Sequence, residues 1–269
     1  MNNVCKIEDR NMFERLRLFQ GMLYRRLCRF LPVQMNILNK YNIFLDSKYA
    51  ITLFAEVFAS RAYYPAVELF KESPRVVLDL GAFGGFFTLL VEWNRVQRFP
   101  DAKIDYCLYE ANPKLIKVIK RNMQMVKLKD NVHIYCGAVG KRSGLVDFAI
   151  CKNLGFSSVL PVSNVTRRIH TSYIDIVKNL EKDKLGMPEL IKIDIEGSEL
   201  DLFKNYQDLF SKTCVVAAEF HGDAASCEDW QNLVVQTGLQ LYEITEKADR
   251  SCNLIFFNKQ NLERHNSRT

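Results

Sequence analysis

The run Arg75-Val-Val-Leu-Asp-Leu80 constrains this chain more than any other segment. It is short, almost continuously apolar, and passes through Gly81-Ala-Phe-Gly-Gly85 into a helical pattern that begins near residue 84. A strand with one wet face alternates apolar and polar residues, whereas a strand buried on both faces has no need to. Such strands belong to parallel sheets, whose crossover helices cover both faces. The rest of the chain repeats the unit. Strands are expected at Ile104–Tyr109, Val132–Val139, Leu190–Ile195 and Cys214–Phe220. Helices are expected at 84–96, Pro113–Leu128, 172–181, Ser198–Phe210 and 226–237, the last closed by Gly238. An irregular stretch with a hairpin at Leu145–Ile150 interrupts the alternation. Strand–helix alternation predicts an α/β, doubly wound, Rossmann-like sheet. Two final strands, Gln240–Ile244 and Asn253–Phe257, have no helix between them and pair as a hairpin. The expected sheet is therefore seven-stranded and mostly parallel, with one antiparallel edge strand.

Upstream, Phe13, Leu16, Phe19, Leu23, Leu27 and Phe30 recur at helical spacing until Pro32, with arginines on the other face. A second helix is expected over 47–59. The division that follows is an N-terminal helical appendage (1–72), an α/β domain (73–260) and a polar C-terminal tail (261–269). Of the net charge of +6, residues 1–40 hold eight Lys/Arg against three acids, so the body is close to neutral. That argues against a nucleic-acid partner, which needs a broad basic surface. The appendage is expected to act as a lid or homodimer contact. The alternatives are that residues 11–31 touch an anionic membrane surface, or an anionic acceptor. None of the eight cysteines forms a CxxC pair or has a His at zinc-ligand spacing, so buried reduced thiols are expected. With no secretory signal pattern and no apolar run of ~20 residues, the expected location is cytoplasmic, or peripheral at the inner membrane surface.

Ligands of doubly wound sheets bind beyond the carboxyl ends of the strands, where the Asp79–Gly85 loop lies. Gly81 and Gly85 allow a tight turn and close backbone approach. Asp79 can orient the loop or accept from a ligand ammonium. Glycines at 81, 84 and 85 miss the G-x-G-x-x-G dinucleotide spacing, and no phosphate-loop Gly-Lys-Ser/Thr is present. Glu110 ends the next strand, where a carboxylate can accept both ribose hydroxyls; it can also merely cap the helix begun by Asn112-Pro113. Gly137-Ala138, after the third strand, would lie beside an adenine ring or form a plain turn. The missed spacing, the acid at Glu110 and the antiparallel closing strand point to S-adenosylmethionine as the cofactor.

Ile191-Lys-Ile-Asp-Ile-Glu-Gly-Ser-Glu199 carries the acceptor side. Asp194 ends a strand, Glu196 and Gly197 form the turn, and Glu199 opens a helix, where an acid also suits the helix dipole. Glu219 and His221 close the fifth strand on one face. Methyl transfer from a sulfonium needs an aligned acceptor and a group to take its proton. His221 is the expected base, with Asp194 or Glu196 as the alternative. A divalent cation on Asp194 and Glu196 is a lesser reading; the expectation is no metal.

These residues resemble the FkbM family of methyltransferases over about 51–258. The segments that match are Val77-Leu-Asp-Leu-Gly-Ala-Phe-Gly-Gly-Phe-Phe-Thr88, Tyr109-Glu-Ala-Asn-Pro113, Gly137-Ala-Val139, Ser157-Ser158, Ile191–Glu199 and Ala218–His221. Phe83 departs from the family, which usually has Asn there. The resemblance implies a class I methyltransferase fold. It also implies a cofactor site made of Asp79, Gly81, Ala82, Gly85, Thr88, Glu110, Ala111, Gly137, Ala138 and Asp194. It further implies O-methylation of a sugar, glycan or secondary-metabolite hydroxyl. A nucleic-acid methyltransferase and a non-catalytic binding module on the same fold are the rival readings.

Overall fold

The computed structural model describes residues 33–37, 41–45, 47–60, 62–128, 131–151, 165–221, 224–247 and 251–268. The helix expected at 11–31 and Ser157-Ser158 lie outside them. The chain opens with strands β1 (Val33–Ile37) and β2 (Tyr41–Leu45), then helices α1 (Lys48–Ala59) and α2 (Tyr64–Glu68). β3 (Val76–Leu80), α3 (Phe86–Arg98), β4 (Asp105–Glu110), α4 (Pro113–Met125) and β5 (Val132–Cys136) follow. Next come β6 (Leu145–Cys151), β7 (Val165–Ser172), α5 (Ile176–Lys182) and β8 (Leu190–Ile193). The last elements are α6 (Glu199–Asn205), α7 (Gln207–Lys212), β9 (Val215–His221), α8 (Ala224–Gln236), β10 (Gln240–Lys247), β11 (Ser251–Phe257) and α9 (Lys259–Asn266).

The seven-stranded sheet has the order β10-β11-β9-β8-β3-β4-β5. The chain winds outward from β3 through β4 to β5, then returns to lay β8 on the other side of β3. The strand order reverses between β3 and β8, so the ligand crevice of an open α/β sheet opens there. β11 is the one strand in this sheet that runs against its neighbours. The expected antiparallel closing pair forms one edge of the sheet, with β11 beside β9 and its hairpin partner β10 outermost. β10 shares the direction of the parallel strands.

Strand parity divides the interior in two. Val77, Tyr106, Leu108, Leu190, Val215 and Ala217 face one core, while Val76, Leu78, Cys107, Ile191, Ile193 and Val216 face the other. The second core is closed by α5, α6, α7 and α8, with Trp230 stacked on Phe220 at 5.1 Å. The first is closed by α3, α4 and the N-terminal segment. Phe54 meets Phe86 edge-on at 5.7 Å and Tyr63 meets Phe87 at 5.5 Å. Each fully buried side chain of this size is worth roughly 1.5–3 kcal/mol, so residues 43–70 are integral to the core.

Four expectations change. Val33–Ile37 and Tyr41–Leu45 pair as antiparallel strands instead of continuing a helical appendage. The tail at 261–269 is helical to Asn266, with Leu262 and His265 buried and the His265 ring edge-on to Phe70 at 5.3 Å. The helix expected over 198–210 is two, because Tyr206 leaves helical geometry between α6 and α7. The strand β6 pairs with β7, 14 residues further on, and forms no local hairpin. No helix among the described residues is long and apolar enough to cross a membrane.

Candidate active site

The loop after β3 is fixed from both sides. Gly81 and Ala82 both donate their N–H to the Tyr109 carbonyl at 3.0 Å. Gly81 and Gly85 have φ of +76°, in the left-handed region that glycine enters without penalty. Phe83 sits between them at φ +48°, which costs an ordinary residue roughly 1–2 kcal/mol. Asparagine tolerates that region better than phenylalanine, so the family's usual residue matches a backbone demand that Phe83 meets under strain.

Glu110 supports this shape. Its Oε2 accepts from the Phe83 N–H at 2.9 Å and its Oε1 from Asn112 at 2.8 Å. The capping reading is therefore present in the structure, joined to a role in bracing the loop. Burial pushes the carboxyl up to about 7, against the lowering effect of those two N–H groups. Each oxygen keeps a lone pair for a further donor. Ala111 follows, half-buried. Gly137 reaches the same corner by donating to the Glu110 carbonyl at 3.0 Å. Ala138 is buried, tied to the end of β7 through Ser172 O at 3.0 Å.

Asp79 is buried with Thr88, whose backbone N–H and hydroxyl reach its Oδ2 at 3.3 and 2.9 Å. The other oxygen, Oδ1, is buried without a hydrogen bond among the described residues. A buried acceptor left over at a strand end is a natural partner for an incoming N–H or O–H. Directly across the β3–β8 ladder stands Lys192, which sequence reasoning missed. Its ammonium is 2.7 Å from the Gly81 carbonyl, 3.3 Å from Asp194 Oδ2 and 3.7 Å from Asp79 Oδ1. Burial alone would depress its pKa, but Asp194 and Asp79 outweigh that and raise it. The available signal was a lysine inside an otherwise apolar strand.

The expected acceptor residues do converge. Glu196 turns the chain at φ +55°, and Gly197 follows at +102°. Glu199, 1% exposed, accepts from the Gly197 N–H and meets His221 Nδ1, both at 3.0 Å. His221 Nε2 lies 3.5 Å from Glu219 and 3.6 Å from Glu196. Burial would lower the imidazole pKa, but Glu199, Glu219 and Asp194 together raise it to about 12. The surrounding acids thus favour the imidazolium form of His221. Glu199 at Nδ1 and Glu196 and Glu219 at Nε2 flank both ring nitrogens, a setting invisible in Ala218–His221 alone that weighs against His221 as the base. Burial and then Asp194 push Glu196 up to about 8; burial also raises Asp194, while His221 holds Glu219 low against its burial. Asp194, Glu219 and His221 each bring a ligand atom within 4.8 Å of one another, a spacing that could hold a cation. The N-terminal segment borders this cluster: Tyr63 is buried, and its phenol is pushed up by burial and by the charges of Asp194 and Glu219.

Comparisons with known proteins bear on the family and the fold. The model of the family described as the methyltransferase FkbM domain matches residues 79–243. No curated protein matches by sequence. Among solved structures, the chain is similar to a methyltransferase FkbM from Methylobacillus flagellatus KT, with 15% identity and a TM-score of 0.50, covering 78% of this chain and 52% of that one. The chain thus spans about half the length of that relative. It is also similar to magnesium protoporphyrin IX methyltransferase from Synechocystis PCC 6803, with 10% identity, a TM-score of 0.46 and coverage of 78% and 82%. The match of the family model over more than half of the residues places the chain in the FkbM methyltransferase family, and S-adenosylmethionine, expected from the loop at 79–85, is the cofactor that goes with it.

Proposed function

We propose that this protein is an S-adenosylmethionine-dependent O-methyltransferase acting on a hydroxyl of a sugar, glycan or secondary metabolite. The observation that carries the reading is the carboxylate cluster at the ends of β8 and β9, directly beside the loop that follows β3. The residues of that loop suit the cofactor. Asp79 Oδ1 is a buried acceptor without a hydrogen bond among the described residues, and Glu110 has capacity for ribose hydroxyls. When bound, S-adenosylmethionine supplies an electrophilic methyl group on a positively charged sulfur, which a ring of acids favours.

The protein's own part is orientation and proton removal. Lys192 locks the Gly81 carbonyl, Asp79 and Asp194 in one arrangement. Glu196 is the base: it stands in the turn at the crevice, 23% exposed, whereas Glu199 is almost wholly buried and engaged with His221. An acceptor hydroxyl gives its proton to Glu196 in its carboxylate form, which grows as pH rises toward about 8, as the acceptor oxygen takes the methyl group. His221 acts through the acids it touches, holding Glu219 and Glu199 in position. The test is release of S-adenosylhomocysteine across a panel of hydroxylated and amine acceptors, repeated with Glu196→Gln. Turnover of hydroxyl acceptors that falls at least a hundredfold in the variant supports the reading. Turnover confined to amines, or unchanged by the variant, rejects it.

A further inference from the structure

Asn122 lies on α4 and is wholly inaccessible to solvent. It faces the cofactor loop with Ile119 and Met123, which share its side of the helix and lie within contact distance of a Cβ placed on Gly85. Its carboxamide does two different things. Nδ2 donates to the Gly84 carbonyl at 2.9 Å, in the middle of the glycine loop. Oδ1 accepts from the Phe44 N–H at 2.8 Å, on strand β2 of the N-terminal hairpin. The amide orientation is determined, because the flipped amide would set its oxygen against a carbonyl and its NH2 against an N–H. Only a side chain with a donor and an acceptor on one planar group can bridge these partners. The same junction is reinforced by the Arg121 guanidinium, 3.5 Å from the centre of the Phe44 ring.

The loop needs such support. Three of its residues have positive φ, one of them the strained Phe83, and Gly84 lies between two of the three. Strained backbone persists only when its surroundings over-determine it. Glu110 fixes the Phe83 N–H from one side, and Asn122 fixes the Gly84 carbonyl from the other. The second anchor is itself oriented by the hairpin.

We propose that Asn122 is a positioning residue that couples docking of the N-terminal hairpin to the shape of the cofactor loop, so that each strengthens the other. This rests on the reading that the loop holds S-adenosylmethionine or its product. By linkage, a ligand that favours the ordered loop must favour the docked hairpin by the same factor.

The test uses the full chain and S-adenosylhomocysteine. Calorimetry first establishes binding, and hydrogen exchange with and without the ligand then reports the Gly81–Phe86 and Phe44 amides. The expected result is slower exchange of the loop and of Phe44 on binding. Asn122→Asp keeps the acceptor for Phe44 but sets a carboxylate against the Gly84 carbonyl. It is expected to weaken ligand affinity at least tenfold and to abolish the ligand-dependent protection of Phe44. Asn122→Gln, which retains both functions one methylene further out, restores part of the affinity. If the wild-type loop is protected while Phe44 exchange is unchanged, the coupling is wrong and the cofactor reading stands. An Asn122→Asp affinity within twofold of wild type also overturns the coupling. No binding at all removes the cofactor reading itself.

Discussion

Gly81→Ala tests the geometry of the cofactor loop most sharply. Gly81 has φ +76°, so alanine pays the left-handed penalty of roughly 1–2 kcal/mol. A Cβ at this position would also stand 1.7 Å from the Asp194 carbonyl oxygen. Real Cβ atoms essentially never come within 3.0 Å of a neighbour, so the strand ends must part by more than 1 Å. No rotamer relieves a contact with backbone. The displacement acts on the Lys192 ammonium that joins Gly81 O and Asp194, and misplacement of about 1 Å in a positioned site costs on the order of a hundredfold. Gly238→Ala is the control. Its φ of +81° carries the same conformational penalty, but the nearest atom is the Asn258 side-chain amide nitrogen at 3.2 Å. Calorimetry with S-adenosylmethionine and thermal melts separate the two effects. Gly238→Ala should lower Tm by roughly 2–8 °C and leave cofactor affinity intact. Gly81→Ala should lower affinity about a hundredfold or more. Equal affinities for Gly81→Ala and wild type would refute the claim that this loop holds the cofactor.

Two further predictions follow from the buried charges and one from the strained loop. Lys192→Met leaves Asp79 and Asp194 buried without their cation, so unfolding by urea should show a loss of about 3–5 kcal/mol; a loss below 1 kcal/mol would show the lysine to be incidental. Glu189, fixed by His265, Arg75 and Arg268, has its carboxyl lowered from 4.5 to about 2 against the effect of its burial. Because the folded value is depressed, its contribution is present above about pH 4.5 and lost as pH falls toward 2. With exposed arginine partners screened by solvent, that contribution is about 2–3 kcal/mol, and Glu189→Gln should flatten the acid limb of the stability curve; an unchanged limb would contradict it. Phe83→Asn should relieve left-handed strain and raise Tm by a few degrees, checked by calorimetric melting, whereas a lower Tm would mean that the ring's packing on Phe86 outweighs the strain.

The sequence was most informative where a pattern is local. The apolar run at 75–80, its glycine loop and Glu110 each declare themselves within a few residues. What escaped was created by neighbours distant in the chain. Lys192 reads as a polar lapse in an apolar strand until the β3–β8 register sets it opposite Asp79. His221 reads as an isolated strand-end imidazole until Glu199, from a helix 22 residues earlier, meets its Nδ1 and Glu196 and Glu219 flank its Nε2. The strands at 33–37 and 41–45 escaped although Val33-Gln-Met-Asn-Ile37 alternates apolar and polar residues, because the pairing that joins them appears only in the register of Val33 with Leu45. The helix at 259–266 looked like a tail because only Leu262 and His265 on it are buried. Asn122 could not have been found from spacing, since its partners lie 38 and 78 residues away.

The central claim is that the loop after β3, with Asp79 and Glu110, binds S-adenosylmethionine. Isothermal titration of the folded full chain with that cofactor tests it most directly. The account predicts one-to-one binding that weakens at least tenfold in Glu110→Gln, which loses the charge that holds the Phe83 N–H. No detectable heat at millimolar cofactor, or binding that Glu110→Gln leaves unchanged, would contradict it.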